Sequence, residues 1–173
     1  MAQMAGGFMT TVIFDLDGTL ADTSGDLIAA ANHCFVQMGQ GEVLHPKRDA
    51  AVGMRGGRAM LTCGLERLGK MDMSLVDAYY PILIEAYRAK IDVHTQMFPG
   101  AMDAVGRLRA RGVKVGICTN KPVALAELLL KRLGVREAFA AVIGADSLPV
   151  RKPDPQAFFE TVRQVGGQVE RAF

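Results

Sequence analysis

The chain has 173 residues, half of them hydrophobic and 22% charged, which fits a globular domain with a smaller insert and excludes a disordered or fibrous chain. Twenty basic and 18 acidic residues leave a net charge of +2 with no long Lys/Arg block, which argues against nucleic acid as a partner. No apolar run approaches the ~20 residues needed to cross a bilayer, so no membrane partner is expected.

Residues 1–10 lack a basic residue and a sustained apolar run, and read as a loose leader instead of a signal peptide. The first strong signal is Thr11-Val12-Ile13-Phe14-Asp15-Leu16-Asp17-Gly18-Thr19-Leu20. Its unbroken apolar run predicts a buried strand of a parallel sheet. Asp15 then stands at the strand's end, where open α/β sheets place their ligands. Helical patterns follow. Thr23-Ser24-Gly25-Asp26 predicts the cap of a helix with Leu27, Ile28, Ala31, Phe35 and Met38 on its apolar side, ended by Gly39 and Gly41. Residues 46–51 read as a short element at most, and residues 58–68 and 74–90 as two further helices. Pro81 is expected to kink or break the second of these.

Strand and helix alternate after Phe98-Pro99-Gly100. A helix is predicted over 101–111, a strand over 113–118, a helix over 123–133 and a strand over 139–143. Asp154 and Pro155 have the chemistry of an N-cap and a first helical residue. Residues 1–21 and 96–173 therefore read as an α/β core with a doubly wound parallel sheet, and residues 22–95 as an inserted helical domain.

Two aspartates around one residue are more than a turn or a helix cap requires. Asp15 is placed as a carboxylate nucleophile toward phosphorus, and Asp17 as the group that protonates a leaving oxygen and then deprotonates water. Thr119 ends the strand over 113–118 and offers a hydroxyl beside the amide of Asn120, although its residue type also suits the cap of the next helix. Lys152 lies in Arg151-Lys152-Pro153-Asp154-Pro155, where prolines stiffen the loop and limit the reach of its amine.

In this order these segments resemble the first three motifs of the haloacid dehalogenase (HAD) superfamily: a strand running into D-x-D-G-T, a Thr after a second strand, and a Lys before a helix. The resemblance covers nearly the whole chain. The helical insert between the first two motifs is similar to the cap of subfamily I, and Asp22-Thr23-Ser24-Gly25-Asp26-Leu27 is most similar to phosphoglycolate phosphatases. The resemblance implies a phosphomonoester hydrolase with an aspartyl-phosphate intermediate and a small phosphorylated metabolite as substrate. Asp15 would be the nucleophile and Asp17 the acid/base. Thr119, Asn120 and Lys152 would bind the phosphoryl group. Mg²⁺ is implied on the Asp15 carboxylate and the Asp17 backbone carbonyl, since hard oxygen ligands suit that ion. A carboxylate at Asp17 points to phosphate chemistry over dehalogenation.

Gly53-Met54-Arg55-Gly56-Gly57-Arg58 reads either as a flexible link or as a loop whose Arg55 and Arg58 pair with a substrate carboxylate. Gly64-Leu65-Glu66-Arg67-Leu68-Gly69-Lys70 fails as a phosphate-binding loop because Met71 follows and the segment is helical. Cys34, Cys63 and Cys118 are too dispersed for a metal site and read as reduced, mostly buried thiols of a cytoplasmic protein. An acidic pair after one further strand, the fourth motif of the family, is not found before Arg171-Ala172-Phe173. A fragment and a short form are both open on that ground. Either leaves residues 11–14 as an apolar sheet edge disposed to self-association, with weak Mg²⁺ binding and little turnover. The alternatives are a sugar phosphomutase of the same superfamily and a non-catalytic phosphate-binding or interaction protein.

Overall fold

The computed structural model describes residues 10–173, so the expected leader lies outside the described residues apart from Thr10. In chain order the elements are β1 (Thr11–Phe14), β2 (Ala21–Asp22), α1 (Ser24–Gln37), α2 (Pro46–Gly53), α3 (Gly57–Arg67) and α4 (Met73–Ala89). They continue with β3 (Gln96–Met97), α5 (Ala101–Ala110), β4 (Lys114–Cys118), α6 (Val123–Arg132), β5 (Ala141–Ile143) and α7 (Pro155–Gln164). The chain divides into two compact units. One runs to Leu20 and resumes at Met97, and the other is residues 21–96.

The first unit is a parallel sheet in the order β1-β4-β5 with helices packed against it. This is the doubly wound, Rossmann-like class. Phe14 pairs with Ile117, and Ile117 with Val142. All three strands therefore end together, at Asp15, Thr119 and Gly144. Helix α7 lies on all three strands, and Gly116 in the middle of β4 makes room for it. A Cβ there would stand 2.8 Å from Val165 Cγ1 and 3.2 Å from both Ile13 Cδ1 and Thr161 Cγ2. Val115, Ile117, Leu125, Leu129, Ile143 and Val162 form the core around the sheet.

β1 differs from its expectation in two respects. Thr11 is fully buried, but Val12, Ile13 and Phe14 are only half-buried. The strand is also no bare edge. Thr11 bridges Ala172 in parallel, Thr10 N–H donates to the Arg171 carbonyl at 3.1 Å, and Ile13 N–H donates to the Phe173 carbonyl at 2.6 Å. With β4 on its other side, the backbone of residues 10–13 is paired on both flanks, and the premise of an exposed edge there is corrected.

The second unit is helical. Leu27, Ile28, Ala31 and Phe35 of α1 are buried as the pattern requires, while Met38 caps the helix half-buried. The Phe35 ring seats on Gly64 of α3, where a Cβ would come within 2.1 Å of it. The apparent phosphate loop is thus a helix–helix contact. Helix α2 is a complete two-turn helix instead of a short element. Pro46 stands at its first turn, and His45 Nδ1 accepts from Lys47 N–H at 3.3 Å. Its Asp49 is buried, meeting Arg67 of α3 at 2.5 Å and Arg48 at 3.3 Å. The Arg67 hydrogen bond holds the Asp49 carboxyl far below the usual carboxylate range. Pro81 does not interrupt α4, because it lies on the exposed side, where water can reach the carbonyl its ring leaves unpaired.

Asp26, read as a capping residue, has another task. Its buried carboxylate accepts from His94 N–H at 2.9 Å, Thr95 N–H at 2.8 Å and Thr95 Oγ1 at 2.7 Å. It fastens α1 to the segment entering β3. The capping contact belongs to Asp22, whose Oδ1 accepts from Ser24 N–H at 3.0 Å and Ser24 Oγ at 2.6 Å.

Candidate active site

The carboxyl ends of β1 and β4 and the loop before α7 bring the expected residues of the first unit together. Asp15 directly follows β1, and its Oδ1 accepts from Leu16 N–H at 2.8 Å. The same oxygen lies 3.0 Å from Lys152 Nζ, with both side chains partly exposed. The pair is thus open to solvent at the end of the sheet. The buried Leu16 behind it anchors the turn, accepting from Leu20 N–H at 3.0 Å.

Thr119 is buried at the end of β4, and its N–H donates to the Ile143 carbonyl at 2.9 Å. It does not cap α6. Its Oγ1 accepts from Lys121 N–H at 3.1 Å, and the first N–H of α6, on Val123, is taken by Asp146 Oδ1 at 2.7 Å. Asn120 Nδ2 donates to the Lys152 carbonyl at 3.1 Å, tying the segment after β4 to the lysine loop. Asp154 caps α7 as expected, accepting from Gln156 N–H at 2.8 Å. The lysine loop is therefore fixed at both ends, and its ammonium is aimed at Asp15.

Lys121 was not among the expected residues. It is 6% exposed, and its Nζ lies 2.9 Å from Asp17 Oδ1. The site thus holds two carboxylates, each paired with one ammonium group. In the sequence, a lysine before a proline reads as solvated, and no spacing rule links it to Asp17.

The two arginines have separate surroundings in the helical unit. Arg58, in the first turn of α3, pairs with Asp77 Oδ1 of α4 at 2.5 Å and lies 4.6 Å above the Tyr80 ring. Arg55 is exposed in the three-residue link between α2 and α3. Gly57 presses α3 onto α4, since a Cβ there would stand 2.8 Å from Leu83 Cδ2.

The donor set suits magnesium. Asp15 and Asp17 supply hard oxygens, and Mg²⁺ is commonly held by one or two carboxylates together with water and substrate phosphate. Among the described residues no group of three His, Cys, Asp or Glu converges, so any such ion would rely on those other ligands. Burial pushes the Cys118 thiol up from its ordinary range and raises Cys34 to about 11, and the three cysteines are free. Among the described residues no helix is long and apolar enough to cross a membrane.

A strand-end aspartate paired with a loop lysine, beside a strand-end threonine, defines a class that comparison with known proteins identifies. The family model for haloacid dehalogenase-like hydrolases matches residues 9–173. A phosphoglycolate phosphatase from Agrobacterium fabrum is 34% identical over 161 residues, covering 92% of this chain and 69% of the relative. One from Caulobacter vibrioides is 37% identical over 163 residues, covering 94% and 68%. Among solved structures, a candidate phosphoglycolate phosphatase from Lactobacillus delbrueckii superposes with a TM-score of 0.80 at 26% identity, over 95% of this chain and 77% of that one. CbbY from Rhodobacter sphaeroides, solved in complex with phosphate, shares the fold with a TM-score of 0.73 at 22% identity, over 95% and 76% of the two chains. The chain belongs to the haloacid dehalogenase-like hydrolase family. Within it the relatives are phosphatases, which favours neither a phosphomutase nor a non-catalytic binding protein.

Proposed function

We propose that the protein hydrolyses a small anionic phosphate monoester, with 2-phosphoglycolate as the leading substrate, through a phosphoryl group carried on Asp15. The observation that carries this reading is the pair of Asp15 with Lys152 at the open end of the sheet. An attacking carboxylate and a transferring phosphoryl group both bear negative charge, and an ammonium at that place offsets their repulsion. The Thr119 hydroxyl and the Asn120 backbone N–H supply further donors to the phosphoryl oxygens. The Asn120 side chain keeps Lys152 in place through its carbonyl. Asp17 donates a proton to the leaving oxygen and later takes one from water.

The Asp15 carboxylate and the Asp17 carbonyl would hold Mg²⁺. When bound, it supplies charge stabilisation for the phosphoryl oxygens. The name of the relatives supports 2-phosphoglycolate, and so does Arg55, an exposed guanidinium suited to a second anionic group on the substrate. Arg58 is the weaker candidate because Asp77 already accepts from it. The three free thiols support a cytoplasmic location. The pairing of residues 10–13 on both sides removes the exposed edge on which self-association through β1 was expected.

A panel of phosphate esters compared by kcat/KM tests the substrate. We expect 2-phosphoglycolate to exceed neutral sugar phosphates of similar size by about tenfold or more, and Arg55→Ala to remove most of that margin by raising KM. Preference for a neutral sugar phosphate, unaffected by Arg55→Ala, would reject the assignment.

A further inference from the structure

Lys121 has no task in the reaction as proposed, yet the fold encloses it. Its N–H donates to Thr119 Oγ1 at 3.1 Å, and its carbonyl accepts from Ala145 N–H at 3.0 Å. A Cβ at the neighbouring Gly144 would stand 2.7 Å from the Lys121 carbonyl oxygen. The root of a long, flexible side chain is thereby fixed, and the side chain itself is 4% exposed. Burial of an ammonium is strongly unfavourable without a counter-charge. The counter-charge here is Asp17, 2.9 Å away. Lys152, by contrast, is 30% exposed beside a 41% exposed Asp15. One lysine faces where substrate enters, and the other is sealed behind the acid/base.

Lysine has three donors and no acceptor. Oδ1 of Asp17 is therefore an acceptor toward Lys121, and a proton carried by this carboxyl resides on Oδ2. We propose that Lys121 is a positioning residue that fixes the Asp17 carboxyl and directs proton transfer through Oδ2. The inference rests on the phosphomonoesterase reading above. In the first step an Asp15 oxygen bonds to phosphorus, the bond from phosphorus to the leaving oxygen breaks, and the proton on Asp17 Oδ2 passes to that oxygen. In the second, a water oxygen bonds to phosphorus and its proton returns to Oδ2. The bond from Asp15 to phosphorus breaks, and phosphate leaves. Lys121 acts in both steps through Asp17 alone.

A positioning role for proton transfer has a readout that a structural role lacks, because esters differ in how much their leaving oxygen needs a proton. Wild type, Lys121→Met, Asp17→Asn and the double variant would be compared on 2-phosphoglycolate, whose alkyl leaving oxygen needs the proton, and on p-nitrophenyl phosphate, whose phenolate is stable without it. We expect Lys121→Met to lower kcat/KM, which reads the first step alone, by about 10- to 100-fold on the alkyl ester, at or below the lower end of general acid–base catalysis, and by less than about threefold on the aryl ester. Inhibition by inorganic phosphate should change by less than about twofold, and adding Lys121→Met to Asp17→Asn should cost nothing further. Equal losses of kcat/KM on both esters, weakened phosphate inhibition, or additive losses in the double variant overturn the inference. If Lys121→Met does not fold by thermal unfolding, Lys121→Gln is judged by the same ester ratio. A wild type without turnover, or an active Asp15→Asn, overturns the parent reading and this one with it. An active wild type with an unselective Lys121 effect overturns this one alone.

Discussion

At the scale of single residues, Gly144 sets the spacing between the end of β5 and the segment carrying Thr119, Asn120 and Lys121. A Cβ there would meet Val123 N at 2.4 Å and Val123 Cα at 2.6 Å, and backbone cannot swing aside as a side-chain tip can. Gly144→Ala should therefore cost about 1–3 kcal/mol by overpacking and displace the segment of Thr119, Asn120 and Lys121. For a chain of this size that is a fall in Tm of several degrees, on the order of 2–4 °C per kcal/mol. Gly106→Ala is the control. Nothing lies within 4 Å of a Cβ at that helical position, so Tm should hold or rise slightly. Equal Tm values for the two variants would contradict the close approach. The residues legible in the sequence were those announced by their place in an element: Asp15 and Thr119 after strands, Lys152 before a capped helix. Lys121 and the Asp77 partner of Arg58 were not legible, because each contact joins residues distant in sequence whose spacing follows no period.

At the scale of elements, the tie between α2 and α3 is the ion pair of Asp49 with Arg67. Arg67 holds the Asp49 carboxyl well below its ordinary range of ~3.9. A carboxylate depressed on folding stabilises the native state fully above its unfolded pKa, and that contribution is lost as pH falls toward the folded value. Wild type should therefore lose more stability between about pH 5 and pH 2 than Arg67→Met does. At neutral pH the variant should be less stable by about 3 kcal/mol, the lower end of the cost of stranding a buried charge. Arg67 is 35% exposed and Arg48 remains beside Asp49, which limits the loss. Urea unfolding midpoints across that pH range measure both effects, and parallel curves for the two proteins would contradict the pair. Long periodic helices such as α1 and α4 were readable from their apolar spacing. The two-residue strands β2 and β3 are shorter than any period, and α2 shows its identity only through Pro46 and the ion pair of its buried Asp49.

For the whole molecule, an α/β core with an inserted helical unit was readable because strand and helix patterns alternate only on either side of the insert. The edge expected at β1 was misread, since pairing with residues 171–173 is non-local and leaves no local pattern. Under the proposed function, Asp15 carries a phosphoryl group during turnover. The most direct measurement is acid quenching of the protein during hydrolysis of 2-phosphoglycolate, followed by peptide mass spectrometry. We expect one phosphoryl group on the peptide containing Asp15, located to that residue by fragmentation, and neither adduct nor turnover in Asp15→Asn. Sustained turnover with no phosphoryl group on Asp15, or with it on another residue, would contradict the account.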